Sequence, residues 1–334
     1  MVNKTSLFGF LVLSWAFLAP GASAQKKVEK PQVHADFQFG MYPWSRAAVD
    51  LMNMEQARLI TVGFHEGWDL DKLSRTFKVS VPDLSKVADE LDELRLTRAR
   101  SEFDQRPFMV VIRDPDFDRL KDSLQRHADE FLKLIGGQWS EIENAVMTLD
   151  GSKTAPKGQV MYEAVVSGLL LGAMMDAFYE DKTLMPPPPT RLKNDRFYAW
   201  LVESNPAVAA QVRREFRESD GYRIVTVGTS LAEERLNLGD LRGKATVYDD
   251  DDARKYRVFM SLLSRDKLLP FFKTRRSEFL RLGTLTRSGN YTAFAEFFAW
   301  YYNAIANSVA ADLAAAGRIT PPEKLYTYAI RAPQ

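Results

Sequence analysis

The chain of 334 residues contains no cysteine. This absence excludes a disulfide, a thiolate metal site, a cysteine nucleophile and a lipid anchor on an N-terminal cysteine. Histidine is also scarce, with three residues, although it is the side chain that most often carries acid–base catalysis. No glycine-rich phosphate loop, Gly-x-Ser-x-Gly elbow or Ser-x-x-Lys pair occurs in a suitable context. The sequence therefore predicts no cofactor and leaves the catalytic residues of any enzyme activity unknown.

An excess of charge of either sign is missing too. The chain has 45 lysines and arginines against 44 aspartates and glutamates. Proteins that bind nucleic acids or anionic membranes through their overall charge are strongly basic, so we expect no nucleic-acid partner. Apolar residues are plentiful, at 46% of the chain, and they suffice for a core without disulfides.

Two local patterns come close to metal sites but lack the required spacing. The pair His65-Glu66 would need a second histidine at position 69 to form a zinc hydrolase helix, and that position is aspartate. The acidic run 249–252 lacks the alternating ligands, the glycine and the distant glutamate of a calcium loop. We therefore predict no metal site.

No long apolar run is present, and a helix needs about 20 apolar residues to cross a bilayer. The N-terminal run 7–19 has 13 residues, follows Lys4 and is followed by the small residues 22–24. This order is typical of a cleaved secretory signal. We expect residues 1–24 to be a signal peptide cut after Ala24. The mature chain would then be periplasmic or secreted, without a stable membrane span.

Residues 54–113 contain three predicted helices followed by two short strands. Asp69 and Ser80 are candidate caps for the second and third helices, and 108–112 is the second predicted strand. In this order the segment resembles the winged helix-turn-helix superfamily. The resemblance implies that the third helix, 82–94, would enter the major groove of DNA.

The third helix departs from that superfamily in its charge, because it carries five carboxylates and one lysine. DNA affinity depends largely on lysines and arginines that neutralise phosphates, so DNA would repel this helix. We interpret the helix as a protein-interaction element and keep a DNA-binding regulator only as a remote alternative. The candidate interaction residues are Asp83, Asp89, Glu90, Asp92 and Glu93.

Two parts of the chain share short strings in the same order. "RHADEFLKL" at 126–134 resembles "TRRSEFLRL" at 274–282, and "RFYAWLVE" at 196–203 resembles "KLYTYAIR" at 324–331. A Tyr-x-Ala opens the long apolar helix before each of the latter strings, at Tyr162 and Tyr291. The order favours a divergent internal duplication. The alternative is that amphipathic helices arrive at similar strings by composition alone.

These patterns predict a mainly α protein with short strands and hairpins, an α+β fold. In the connecting segment, 206–218 is predicted as a short charged helix and 222–228 as a strand. In chain order the predicted parts are a flexible lead-in at 25–40, a winged-helix-like domain at 41–115, helical repeat A at 116–205, a connecting α+β segment at 206–255 and helical repeat B at 256–334.

The apolar helix 291–317 carries the candidate ligand-binding residues. Glu296, Asn303 and Asn307 fall on one stripe of this helix, with Trp300 between them. Buried polar groups need partners, so the stripe predicts a pocket with Trp300 as its apolar wall. The alternative is that the three polar side chains bond to neighbouring backbone or face solvent.

The sequence favours a non-enzymatic binding or scaffolding module for protein interaction in the cell envelope. The alternative is a small-ligand receptor or hydrolase-like enzyme that uses a pocket beside 291–317. The expected partner is accordingly another envelope protein or a small ligand. The discriminating features are the acidic helix 82–94 for the first hypothesis and the stripe on 291–317 for the second.

Overall fold

The computed structural model describes residues 32–101, 104–191, 195–204, 212–229 and 237–333. The predicted signal peptide and its cleavage site lie outside these residues. From Val33 onward the chain forms one compact unit. Helices contain 59% of the residues in the structure and strands contain 16%, which confirms the prediction of a mainly helical α+β protein.

The N-terminal part places four helices between a strand and a hairpin. Two predicted caps are present: the Asp69 carboxylate accepts a hydrogen bond from the Lys72 N–H at 2.7 Å, and the Ser80 hydroxyl accepts one from the Asp83 N–H at 3.3 Å. The order of helices and hairpin agrees with the predicted layout, whereas membership of the winged-helix superfamily stays a prediction. The elements are β1 (Phe37–Tyr42), α1 (Arg46–Asn53), α2 (Glu55–His65), α3 (Leu70–Phe77), α4 (Val81–Glu93), β2 (Thr97–Ser101) and β3 (Asp104–Pro107). Since β1 begins at Phe37, part of the stretch 25–40 that was predicted as a flexible lead-in belongs to the first sheet.

The hairpin and the first sheet differ from the prediction. The second strand of the hairpin is β3. The strand β4 (Val110–Ile112) belongs instead to the first sheet, where it lies parallel to β5 (Tyr198–Glu203), and β5 pairs antiparallel with β1. Alternate residues of β5 face opposite sides. Tyr198 and Trp200 belong to one hydrophobic core, and Ala199 and Leu201 to another. The prediction that 108–112 forms the hairpin was wrong because a strand covered on both faces reads as a continuous apolar run, without the alternation of a hairpin strand.

Helices dominate the rest of the chain. Most form the larger core, to which the long helix Phe294–Ala315 contributes its aromatic side chains. The elements are α5 (Asp114–Gly137), α6 (Trp139–Met147), a 3₁₀ turn (Asp150–Thr154), α7 (Lys157–Tyr162), a π-helical stretch (Glu163–Ala173), α8 (Met174–Asp181), β6 (Arg213–Ser219), β7 (Tyr222–Gly228), α9 (Leu238–Leu241), β8 (Val247–Tyr248), α10 (Asp250–Leu262), a π-helical stretch (Leu263–Leu268), α11 (Leu269–Lys273), α12 (Arg276–Thr284), a 3₁₀ turn (Arg287–Asn290), α13 (Phe294–Ala315) and β9 (Leu325–Arg331).

The second sheet has the strand order β6-β7-β9-β8. β9 pairs antiparallel with β7 and parallel with β8. The predicted charged helix at 206–218 is wrong from residue 213 onward, where β6 pairs with every residue of β7, and 206–211 lie outside the described residues. β6 is an edge strand with charged side chains, and its pairing with β7 determines its conformation more than local propensity does.

The helix Lys157–Asp181 combines α7, the π-helical stretch and α8. It is long and apolar enough to cross a membrane, with a mean hydropathy of 1.4 over its most apolar window, but 83% of that window is buried in the fold. Gly168 allows close packing here, because an added Cβ would lie 1.7 Å from the Tyr256 hydroxyl. This helix therefore packs as a core helix of the fold.

Candidate functional site

Glu296, the first predicted ligand-binding residue, forms an internal ion pair. Its carboxylate, 4% exposed, lies 3.0 Å from the Arg191 guanidinium and accepts a hydrogen bond from the Ala199 N–H at 3.2 Å. Arg191 also donates to the carbonyls of Phe197 at 3.2 Å and Phe108 at 3.3 Å. Burial raises the pKa of Glu296, and the Arg191 charge opposes the shift. The Glu296 carboxylate therefore links α13 to β5 and to Arg191, which precedes β5 in the chain.

The other three residues of the predicted stripe do lie together on α13. The Asn307 amide donates to the Asn303 side-chain oxygen at 2.9 Å, and the Asn307 oxygen accepts from the Val212 N–H at 3.2 Å. Trp300 is 3% exposed and packs against Phe297. Both polar atoms of Asn307 and the side-chain oxygen of Asn303 therefore have partners within the protein, and the Val212 contact is of the kind that the backbone-bonding alternative expects. Neither cavity described below is lined by any member of the stripe.

The predicted protein-interaction residues lie on the outer side of α4. Asp83, Asp89, Asp92 and Glu93 are exposed, Glu90 is half-buried, and the apolar side chains of the helix are turned into the fold. Asp83 accepts a hydrogen bond from Ser80 at 2.5 Å. Within the described parts of the chain, the other four carboxylates form no ion pair. The face is therefore a solvated surface of unpaired negative charge.

A buried polar network that the sequence did not indicate surrounds His65. Nδ1 of His65 and the Tyr291 hydroxyl are hydrogen-bonded at 2.5 Å, and Tyr291 lies 3.1 Å from Ser288. The adjacent Glu66 carboxylate pairs with Arg113 at 2.6 Å and Arg287 at 2.5 Å. Burial lowers the pKa of His65 to about 3, although Glu66 opposes the shift. His65 and Tyr291 are 226 residues apart, so no local pattern signals their contact.

A cavity of about 250 Å³ lies where the helix Lys157–Asp181, α10 and the second sheet meet. Gly168 and Gly172 line it from the long helix, Tyr256 and Ser261 from α10, and Tyr328 from β9. No local sequence pattern indicates this space, because its lining comes from separate parts of the chain. A further cavity of about 310 Å³ lies beside β1 and α1.

Charged side chains line the 250 Å³ cavity and give it a net charge of +3. Arg265 pairs with Glu180 at the rim. Arg214 has no carboxylate within 4 Å in the described residues, and its Nε donates to the Ser167 hydroxyl at 3.2 Å. The lining charges are Arg214, Arg223, Arg257, Arg265, Arg331, Asp176 and Glu180.

Polar groups without partners face the same region. The Tyr256 hydroxyl, on a side chain 6% exposed, has no hydrogen-bond partner among the described residues, nor does the Nε of Arg223. The Tyr328 hydroxyl bonds with Ser167 at 2.9 Å. Burial lowers the pKa of Arg257, and the positive charge of Arg223 lowers it further. Unpartnered buried donors are costly, so this cavity is the best candidate for a ligand site in the described structure.

Comparisons with protein-family models, curated proteins and solved structures found no match to this chain. Among the described residues, no three histidine, aspartate or glutamate side chains gather as a metal site.

Proposed function

We propose that the protein is an exported, non-enzymatic binding protein, and that the 250 Å³ cavity lined by Gly168, Arg214 and Tyr256 holds a small ligand. One observation carries the proposal: a cavity of ligand size contains buried polar groups that the protein leaves without partners. By contrast, both oxygens of Glu296, both polar atoms of Asn307 and the side-chain oxygen of Asn303 are bonded within the protein.

Native mass spectrometry on protein purified from its source without denaturation tests this proposal. Ser261 lines the cavity from α10 and is half-buried, so Ser261→Trp fills the space from its open side. The neighbouring Leu262 is 56% exposed and outside the cavity, which makes Leu262→Trp a matched control. We expect wild type and Leu262→Trp to carry a small molecule that Ser261→Trp lacks. Equal retention by all three would refute the site.

Protein interaction through α4 is the second candidate function. Its support is the exposure of Asp89, Asp92 and Glu93 without pairing partners. Like charges on one helix face destabilise it slightly, and a basic partner surface would relieve that repulsion. The test is a pull-down from the cell envelope with these three residues changed to lysine. Unchanged partners would mean that the face is only solvated surface. The same carboxylates disfavour the DNA-binding alternative, because they would repel phosphates.

We also propose that helical repeats A and B arose by duplication. In both sheets the strand from the matching strings, β5 or β9, has an antiparallel neighbour on one side and a parallel neighbour on the other. The matching strings on α5 and α12 contact each other reciprocally: Glu130 pairs with Arg275 at 2.9 Å, and His127 lies 3.2 Å from Glu278. Reciprocal contacts between equivalent positions are what two copies related by a twofold axis make.

Relatives of the chain provide the test of duplication. A relative whose two strings are more alike than 126–134 and 274–282 would support it, and disappearance of the likeness in every relative would count against it. The winged-helix assignment of 54–113 is supported by the order α2, α3, α4 and hairpin. A solved relative with bound DNA or protein at this segment would test that assignment.

Export is the remaining proposal. Its support is the charge, apolar run and small residues at 1–24. N-terminal sequencing of protein recovered from the periplasm or medium is expected to begin at Gln25. A full-length chain that stays in the cytoplasm would refute it.

A further inference from the structure

The cavity beside the helix Lys157–Asp181 has a charge distribution that specifies the kind of molecule it accepts. Arg214 and Arg257 have no carboxylate within 4 Å in the described residues. Among the described carboxylates, the one paired with Arg223 is that of the exposed Glu218, at 3.7 Å. The opposing charge within the cavity is Asp176, which has no ion pair in the described residues. Three guanidiniums and one carboxylate leave an excess of two positive charges.

Crowded guanidiniums are unfavourable unless something compensates them. Arginine stays protonated in proteins, so the repulsion cannot be relieved by loss of a proton. Glu180 is occupied by Arg265, and Asp250 lies 3.2 Å from Arg331. Two nearby carboxylates therefore pair with Arg265 and Arg331, whereas Arg214 and Arg257 have no carboxylate partner among the described residues.

The hydroxyl groups at the inner end add hydrogen-bonding capacity. The Ser167 hydroxyl connects Arg214 to Tyr328, with distances of 3.2 Å and 2.9 Å. The Tyr256 hydroxyl is buried and unpartnered where it faces Gly168. Neutral hydroxyls donate to carboxylate or phosphate oxygens without adding charge, and arginine matches the same oxygens with two parallel bonds.

We infer that the cavity binds a compact dianion, a dicarboxylate or a phosphate, held by Arg214, Arg223 and Arg257 with the Tyr256 hydroxyl as an additional donor. This inference rests on the proposed ligand-binding function and names the ligand class of that site. The volume of about 250 Å³ excludes a large ligand such as a dinucleotide.

Isothermal titration of the processed protein with inorganic phosphate and with succinate tests the inference. We expect saturable binding that weakens as salt is added, because salt screens the attraction. Arg214→Gln is expected to weaken it about 10- to 100-fold, the usual value of a hydrogen-bonded charge. The relative affinity of the two probes decides between a phosphate and a dicarboxylate. Arg254→Gln is the matched control, since Arg254 lies on α10 with its side chain 73% exposed and outside the cavity.

A second variant makes the opposite prediction. Asp176→Asn removes a cavity carboxylate that forms no ion pair among the described residues, so anion binding should tighten. A purely structural role of Asp176 would not produce this gain. Because Asp176 is exposed, this variant is also expected to fold. Tyr256→Phe removes only the unpartnered hydroxyl and should weaken binding without a loss of stability.

The outcomes separate this inference from the proposed function. Binding of both probes with unchanged affinity in Arg214→Gln overturns the anion site. A neutral molecule retained by wild type and lost from Ser261→Trp would overturn the dianion and leave the ligand-binding function standing. The absence of any retained molecule, together with no binding of phosphate or succinate, overturns both.

Discussion

Glu163 gives the sharpest prediction about stability. It lies on the π-helical stretch, 1% exposed, and its Oε1 accepts a hydrogen bond from Gln159 at 2.9 Å, whereas Oε2 has no bonded partner in the described residues. No cation lies within 4 Å in the described chain. Burial raises the pKa of Glu163 to about 7 from a usual 4.5, and the Gln159 amide and the nearby Thr246 hydroxyl oppose the shift. The folded protein therefore holds this proton where the unfolded chain has released it.

The pH dependence of the free energy of unfolding follows from this difference between the folded and unfolded states. As pH rises from 4.5 to about 7, the unfolded state loses the proton first, so the free energy of unfolding falls and stays lower above pH 7. A rise of the pKa from 4.5 to about 7 corresponds to about 3 kcal/mol. Glu163→Gln keeps the shape but cannot ionise. We expect it to unfold with nearly wild-type stability at pH 4 and to be more stable by about 3 kcal/mol at pH 8.

Urea unfolding at both pH values, followed by circular dichroism, measures this. If Glu163→Gln changes stability equally at pH 4 and pH 8, the carboxyl has a compensating partner and the reasoning is wrong.

The close packing at Gly168, the burial of His65 and the partly exposed pair of Glu130 and Arg275 can each be tested. Gly168→Ala should lower the free energy of unfolding by about 1 to 3 kcal/mol, because the added methyl group overpacks against Tyr256, and adding Tyr256→Phe should restore part of this loss. Thermal melts of the single and the double variant measure both effects, and no recovery in the double variant would contradict the overpacking. His65 should remain neutral in an NMR titration from pH 8 to pH 5, since its pKa in the folded protein is about 3. Its contribution to the free energy of unfolding is complete above pH 6.5 and declines as the pH falls toward 3. Protonation of His65 near pH 6 would contradict its burial. Glu130→Gln and Arg275→Gln should show a coupling below about 1 kcal/mol in a double-mutant cycle, because both side chains are about one-third exposed, and a much larger coupling would mean that the pair is desolvated.

The helices and caps were predictable because their determinants are local. Asp69 and Ser80 cap helices where the sequence placed them, and the apolar spacing around Phe131 and Leu120 produces a buried face on α5. The apolar character of α13 likewise predicted its burial. Each of these depends on residues within a few turns of one another.

The site was harder to predict because its groups come from distant parts of the chain. Arg214, Tyr256 and Tyr328 gather around Gly168 only when β6, α10 and β9 pack together. The stripe of Glu296, Asn303 and Asn307 was placed correctly on one face, but nothing near it signals that Arg191 and Val212 supply partners. The strand β6 was read as a helix because its pairing with β7, and not its own charged residues, decides its form.

β5 has a consequence for the order in which the protein folds. Its two faces belong to different cores, and its edges bind β1 and β4 from much earlier in the chain. Joining Phe37 to Glu203 requires closure of a very long loop, which slows folding. The four N-terminal helices therefore have no complete core until Tyr198–Glu203 arrives, and a fragment that stops before residue 198 would expose the apolar faces that this strand covers.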